Sequence, residues 1–168
     1  MGDADKVVRG AGDATPDRSP ERRVAEQSAL YRFTDRLYRA ESDIDIYDAA
    51  LDAILDALGC DRASILLFDS NGVMSFVAHR GLSEGYRAAV NGHSPWKRGD
   101  RDPEAIFLRD IRDSSESEAL KQTIEGEGIR GLAFIPLVAS GYVIGKFMTY
   151  YGTPHDTSPE EAAPVAEL

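Results

Sequence analysis

Apolar residues recur three and four apart at Leu30, Phe33, Leu37 and Ala40, which places them on one face of a helix. Tyr31 and Tyr38, seven apart, widen that stripe. Ser19-Pro20-Glu21 opens the helix with an N-cap serine, a proline at the first helical position and an acid in the first turn. A second helix starts after Ser42 or Asp43. Its apolar positions are Ile46, Tyr47, Ala50, Leu51, Ile54, Leu55 and Leu58, and Gly59 stops it. The period then changes to that of strands. Residues 62–68 carry an Ile-Leu-Leu-Phe run, Asp69-Ser70-Asn71-Gly72 is a tight turn, and residues 73–79 complete a hairpin.

Ser83 caps a short helix over 84–90. Residues 91–104 are irregular, with two glycines, two prolines, His93 and the chain's single tryptophan, Trp96. A strand over 105–111 follows, then a helix over about 116–125 capped by Ser114 or Ser115 and closed by Gly126 and Gly128. Residues 129–138 and 142–151 read as two strands joined at Ala139-Ser140-Gly141. Ser158-Pro159-Glu160-Glu161 starts another helix, and the chain stops soon after, which reads as an excised piece of a longer protein. Hairpins at both ends predict an α+β fold around a mostly antiparallel sheet.

Residues 1–20 are poor in apolar side chains and cannot offset the entropy of ordering, so they read as a disordered tail or linker before one domain over 21–168. The 168 residues suit a single domain, and a 42% hydrophobic share suits a globular one. The net charge of −10 opposes binding to phosphate backbones or anionic lipid. No apolar run is long enough to span a bilayer, and no signal peptide opens the chain, so the expected location is the cytoplasm. The one cysteine, Cys60, makes no internal disulfide and no four-thiolate zinc site, and reads as a small buried residue.

The order of elements resembles the GAF domain family, and so do several stretches. Leu58-Gly59-Cys60-Asp61-Arg62-Ala63-Ser64-Ile65-Leu66-Leu67-Phe68-Asp69 is similar to the family's passage from helix into first strand. Gly81-Leu82-Ser83-Glu84-Gly85-Tyr86 resembles the turn and helix after its hairpin. Gly92-His93-Ser94-Pro95-Trp96 resembles a loop of GAF domains in bacterial sensor kinases. Ile129-Arg130-Gly131-Leu132-Ala133-Phe134-Ile135-Pro136-Leu137 and Gly141-Tyr142-Val143-Ile144-Gly145 resemble the closing hairpin. The resemblance implies a sheet of about five or six strands with the terminal helices on one face and a pocket on the other. It implies a sensory, non-catalytic module that binds a small molecule or relays a conformational change to a linked effector, most typically a histidine kinase. It further implies a homodimer through the first helix, with Leu30, Phe33, Leu37 and Ala40 as the candidate contact stripe.

On the family's geometry the pocket candidates are Phe76, Tyr86, His93, Trp96, Ile106, Leu108, Phe134 and Tyr150. No cofactor and no metal is expected. The Asn-Lys-x-Asp type of signature that marks cyclic-nucleotide binders in the family is missing, and no cysteine lies near His93 to hold a bilin. One thiol cannot run the attacking and resolving steps of a methionine sulfoxide reductase. His79, His93 and His155 show no metal-ligand spacing, and Gly126-Glu127-Gly128 lacks the Lys-Ser/Thr of a phosphate loop. His93 as a haem ligand is the weaker reading beside a loop-ordering histidine. Arg98 and Arg101 read as solvated charges with an anion site as the alternative. A ligand-free dimerisation module and a haem or bilin sensor stand as alternative functions.

Overall fold

The computed structural model describes residues 20–157, so most of the expected tail and the helix expected from Ser158 lie outside the described residues. Helix α1 spans Pro20–Arg39, with Glu21 in its first turn and Arg36 and Arg39 in its last, each charge opposed to the helix dipole. Helix α2 spans Asp43–Leu58. Ser42 caps it reciprocally: the Asp45 amide donates to Ser42 Oγ at 3.3 Å, and the Ser42 amide donates to Asp45 Oδ2 at 3.0 Å. Gly59 ends α2 at φ 58°, a left-handed conformation that costs glycine nothing, and its amide donates to the Leu55 carbonyl at 2.9 Å.

Strands β1 (Arg62–Phe68), β2 (Met74–Arg80), β3 (Ile106–Leu108), β4 (Gly131–Ala139) and β5 (Tyr142–Tyr151) form one sheet in the order β2-β1-β5-β4-β3. Every pairing is antiparallel. Helix α3 (Glu84–Val90), a 3-10 turn (Ile111–Asp113) and helix α4 (Glu118–Gly126) complete the described elements. The chain is thus α+β, with five strands.

Alternation along the strands sends side chains to two distinct cores. On one face Ala63, Ile65, Ala133, Ile135, Phe147 and Tyr151 pack against Leu51 and Ile54 of α2 and against Cys60. On the other Leu66, Met74, Leu132, Phe134, Met148 and Tyr150 meet Tyr86 of α3, Ile111 and Ile124 of α4. Helix α1 lies outside α2, with Phe33 buried against Ala49 and Ala53. The pairs Arg32–Asp56 and Arg36–Asp52 flank that contact, half-exposed and therefore weak. Gly145 sits where β5 crosses β1 so closely that a Cβ would lie 2.3 Å from the Leu66 carbonyl oxygen.

Two boundaries and one apolar stripe differ from the sequence expectation. The third strand stops at Leu108 instead of reaching 111, because Asp110 accepts from the Arg112 amide at 3.1 Å and starts the 3-10 turn. Ser114 does not cap α4: its hydroxyl donates to the Ile111 carbonyl at 2.7 Å, and Ser117 takes the cap by accepting from the Leu120 amide at 3.3 Å. The expected stripe on α1 also splits. Phe33 is buried and Ala40 half-buried, whereas Leu30 and Leu37 are exposed, together with Tyr31 and Tyr38.

Candidate functional site

The face of the sheet away from α1 and α2 carries a cavity of about 30 Å³, roofed by α3, α4 and the irregular segment after α3. Two-residue alternation on β5 turns Lys146, Met148 and Tyr150 into it, and on β4 Leu132 and Phe134. Leu66 and Phe76 enter from β1 and β2, Leu108 from β3, Tyr86 and Val90 from α3. Of the eight residues expected there, Phe76, Tyr86, His93, Leu108, Phe134 and Tyr150 line the space. Trp96 and Ile106 pack against the same core without lining it.

Tyr150 is wholly buried and shares a 2.8 Å hydrogen bond with Ser64 Oγ. Its hydroxyl also lies 3.4 Å from Met148 Sδ, and its ring meets that of Tyr86 edge to face with centroids 6.2 Å apart. Burial pushes both phenols well above their ordinary values, so both are neutral donors at physiological pH.

Lys146 is the group that the sequence reading missed. It is 2% exposed. Its Nζ donates to the His93 carbonyl at 3.0 Å and stands 5.0 Å over the Phe134 ring. Burial pushes its ammonium down to about 8. A charged residue in a strand of aromatic and β-branched neighbours reads by type as solvent-facing. The available signal was parity: Lys146 is two and four residues from Met148 and Tyr150. Glu116, half-buried, lines the cavity too and was likewise not singled out.

The roofing segment is pinned at several points. The Gly92 amide donates to the Met74 carbonyl at 3.0 Å, and the Val143 amide to the Asp100 carbonyl at 3.0 Å. Arg98 donates to the Asp69 carbonyl at 3.2 Å. Arg101 donates to Tyr142 Oη at 2.7 Å and stacks over that ring at 4.5 Å. Both arginines weighed as anion ligands are therefore engaged in holding this segment to its neighbours.

The other candidates fall elsewhere. Cys60 is buried on the α2 side of the sheet, and burial pushes its thiol up to about 12. Its thiol therefore lies across the sheet from the cavity. Among the described residues no three His, Cys, Asp or Glu side chains gather as a metal site. No described helix is long and apolar enough to cross a membrane.

The comparisons with known proteins agree with this architecture. A domain from Sinorhizobium meliloti 1021, of a protein assigned as a two-component sensor histidine kinase, is 52% identical over 76% of this chain and 88% of its own, with a TM-score of 0.70. The GAF domain of a phosphoenolpyruvate-protein phosphotransferase from Coxiella burnetii is 18% identical over 86% of this chain and 88% of its own, with a TM-score of 0.66. The GAF domain of the cyanobacteriochrome TePixJ is 18% identical over 78% and 86%, at 0.64. At such low identity the last two speak for the fold alone. No curated protein matches. The model of the GAF domain family matches residues 44–164, from the first turns of α2 past the end of β5, and so the chain belongs to the GAF domain family.

Proposed function

We propose that this domain is the signal-input module of a larger signalling protein and that a small molecule in the cavity sets its output. The observation that carries the reading is Lys146, a buried cation that both lines the cavity and holds the His93 carbonyl of the segment above it. A ligand that engages Lys146 changes the anchor of that segment. The next residue, Phe147, points to the opposite face and packs beneath α2. A shift of β5 therefore reaches the helical layer through one strand, with α1 as the outer element that passes it on.

In this reading α1 meets α1 of a second copy. Val24, Tyr31 and Tyr38 lie seven apart and are 62%, 76% and 91% exposed, the spacing of a coiled-coil seam. The 52% identical domain belongs to a protein assigned as a sensor histidine kinase, which supports a linked kinase as the effector. Catalysis is then the effector's task and regulation this domain's.

A second reading, a ligand-free dimerisation module, is favoured by the small size of the cavity. A native mass spectrum with an absorption spectrum, taken on protein purified from its host, decides between them. A bound small mass is expected. A clean dimer with no added mass under conditions that keep non-covalent ligands supports the second reading. A visible absorption band overturns both.

A further inference from the structure

Lys146 presents three N–H donors, and among the described residues one of them has an acceptor, the His93 carbonyl. Among the described residues no carboxylate lies within 4.0 Å of its Nζ. An ammonium taken out of water without a counter-charge is costly, and a methionine would fill the same space without that cost. Most of the remainder of the wall is apolar, Leu66, Leu108, Phe134 and Met148 among it, with Phe134 under the cation and with His93, Tyr86 and Tyr150 adding polar groups. Glu116 is the other charged side chain of the wall.

These features define a complementary molecule. It carries one negative charge, since a second would meet either the apolar wall or the Glu116 carboxylate. It is short, since about 30 Å³ admits only a few heavy atoms before side chains must move. Beyond the charged end it is apolar. Taking the cavity as the ligand site proposed above, we infer that its ligand is a short-chain monocarboxylate, with the carboxylate on Lys146 Nζ and the alkyl end against Leu66, Phe134 and Met148. The two unused Nζ donors receive the carboxylate oxygens. The pull of the ion pair lengthens the remaining bond to the His93 carbonyl, which loosens the segment roofing the cavity.

The test is a titration of the full chain with sodium acetate, propionate and butyrate, with propionamide as neutral isostere and sodium chloride at matched ionic strength. The readouts are NMR signals of the Lys146 ε-methylene and the Met148 methyl. Carboxylates are expected to shift both saturably and chloride neither. Propionamide should bind about tenfold to a hundredfold more weakly than propionate, the usual worth of a charged hydrogen bond. Lys146→Met should lose the preference for carboxylate. If that variant does not fold, the contrast between propionate and propionamide in the native chain decides alone. Equal binding of the two overturns the charge assignment while leaving the cavity as a ligand site. Silence of the Met148 methyl to every probe overturns the monocarboxylate, and a native mass spectrum without bound mass then removes the ligand-site reading as well.

Discussion

Lys146 and its neighbour Gly145 set opposite demands on one stretch of β5. In the unfolded chain the ammonium titrates near 10.5, and in the folded one near 8. Below pH 8 both states carry the proton and the full desolvation cost is present. Between 8 and 10.5 the unfolded chain binds more protons, so stability rises with pH, by ~3 kcal/mol across the window at 1.36 kcal/mol per unit. Cys60 acts in reverse: its contribution is complete below pH 9 and is lost as the pH climbs towards 12. Urea denaturation between pH 7 and 9 therefore isolates the lysine. Lys146→Met should be as stable as the native chain or more so at pH 7, and should lack its rise above pH 8. A loss of several kcal/mol at pH 7 would refute the view of Lys146 as a cation held at a cost. Gly145→Ala should lower stability by about 1–3 kcal/mol, because its methyl meets the Leu66 backbone oxygen and that atom is fixed by the sheet. Iodoacetamide at pH 8 should leave Cys60 unmodified until denaturant opens the α2 side of the core. Labelling of the native chain at the rate of a free thiol contradicts its burial.

At the scale of elements, legibility followed the locality of the signal. Residues 43–58, 62–68, 84–90 and 142–151 were readable because caps and periods lie within each stretch. Ser83 announces α3 on its own, and Ser42 or Asp43 announces α2. The bounds of α4 were not readable, since the choice of Ser117 over Ser114 depends on a bond from Ser114 to Ile111 in a turn that the sequence does not display. The cavity shows the same division. Phe76, Tyr86, Phe134 and Tyr150 follow from family geometry, whereas Lys146 needs the parity of β5 and knowledge of which face is covered. Trp96 is also expected in the wall from family geometry, yet what it meets is decided by the path of the loop. The local signals have a measurable counterpart. Ser42→Ala removes the Oγ that accepts from the Asp45 amide, leaves the backbone amide of residue 42 on Asp45 Oδ2, and should cost ~1 kcal/mol in chemical denaturation. An unchanged midpoint would show that α2 is held by its packing alone.

Over the whole molecule the layers run α1, α2, sheet, then cavity with α3 and α4, so the cavity and the proposed contact surface stand at opposite ends of a short path. The exposed Val24, Tyr31 and Tyr38 make the association testable. Sedimentation of the native chain should give a dimer, and Tyr31→Glu, which places like charges across the seam, should shift it to monomer with unchanged circular dichroism. Full retention of the dimer by that variant moves the interface to another face.

The strand order also constrains how the protein is made. β5 comes last of the described strands in sequence, yet it lies between β1 and β4 and is their common neighbour. On the ribosome, the β1–β2 hairpin emerges first of the sheet, and the β1 edge that β5 will occupy waits while some sixty residues are added. Until Tyr151 clears the exit tunnel the two halves of the sheet have no joint. Assembly of the sheet is then a late event, and the nascent chain up to that point carries open strand edges able to pair with other chains.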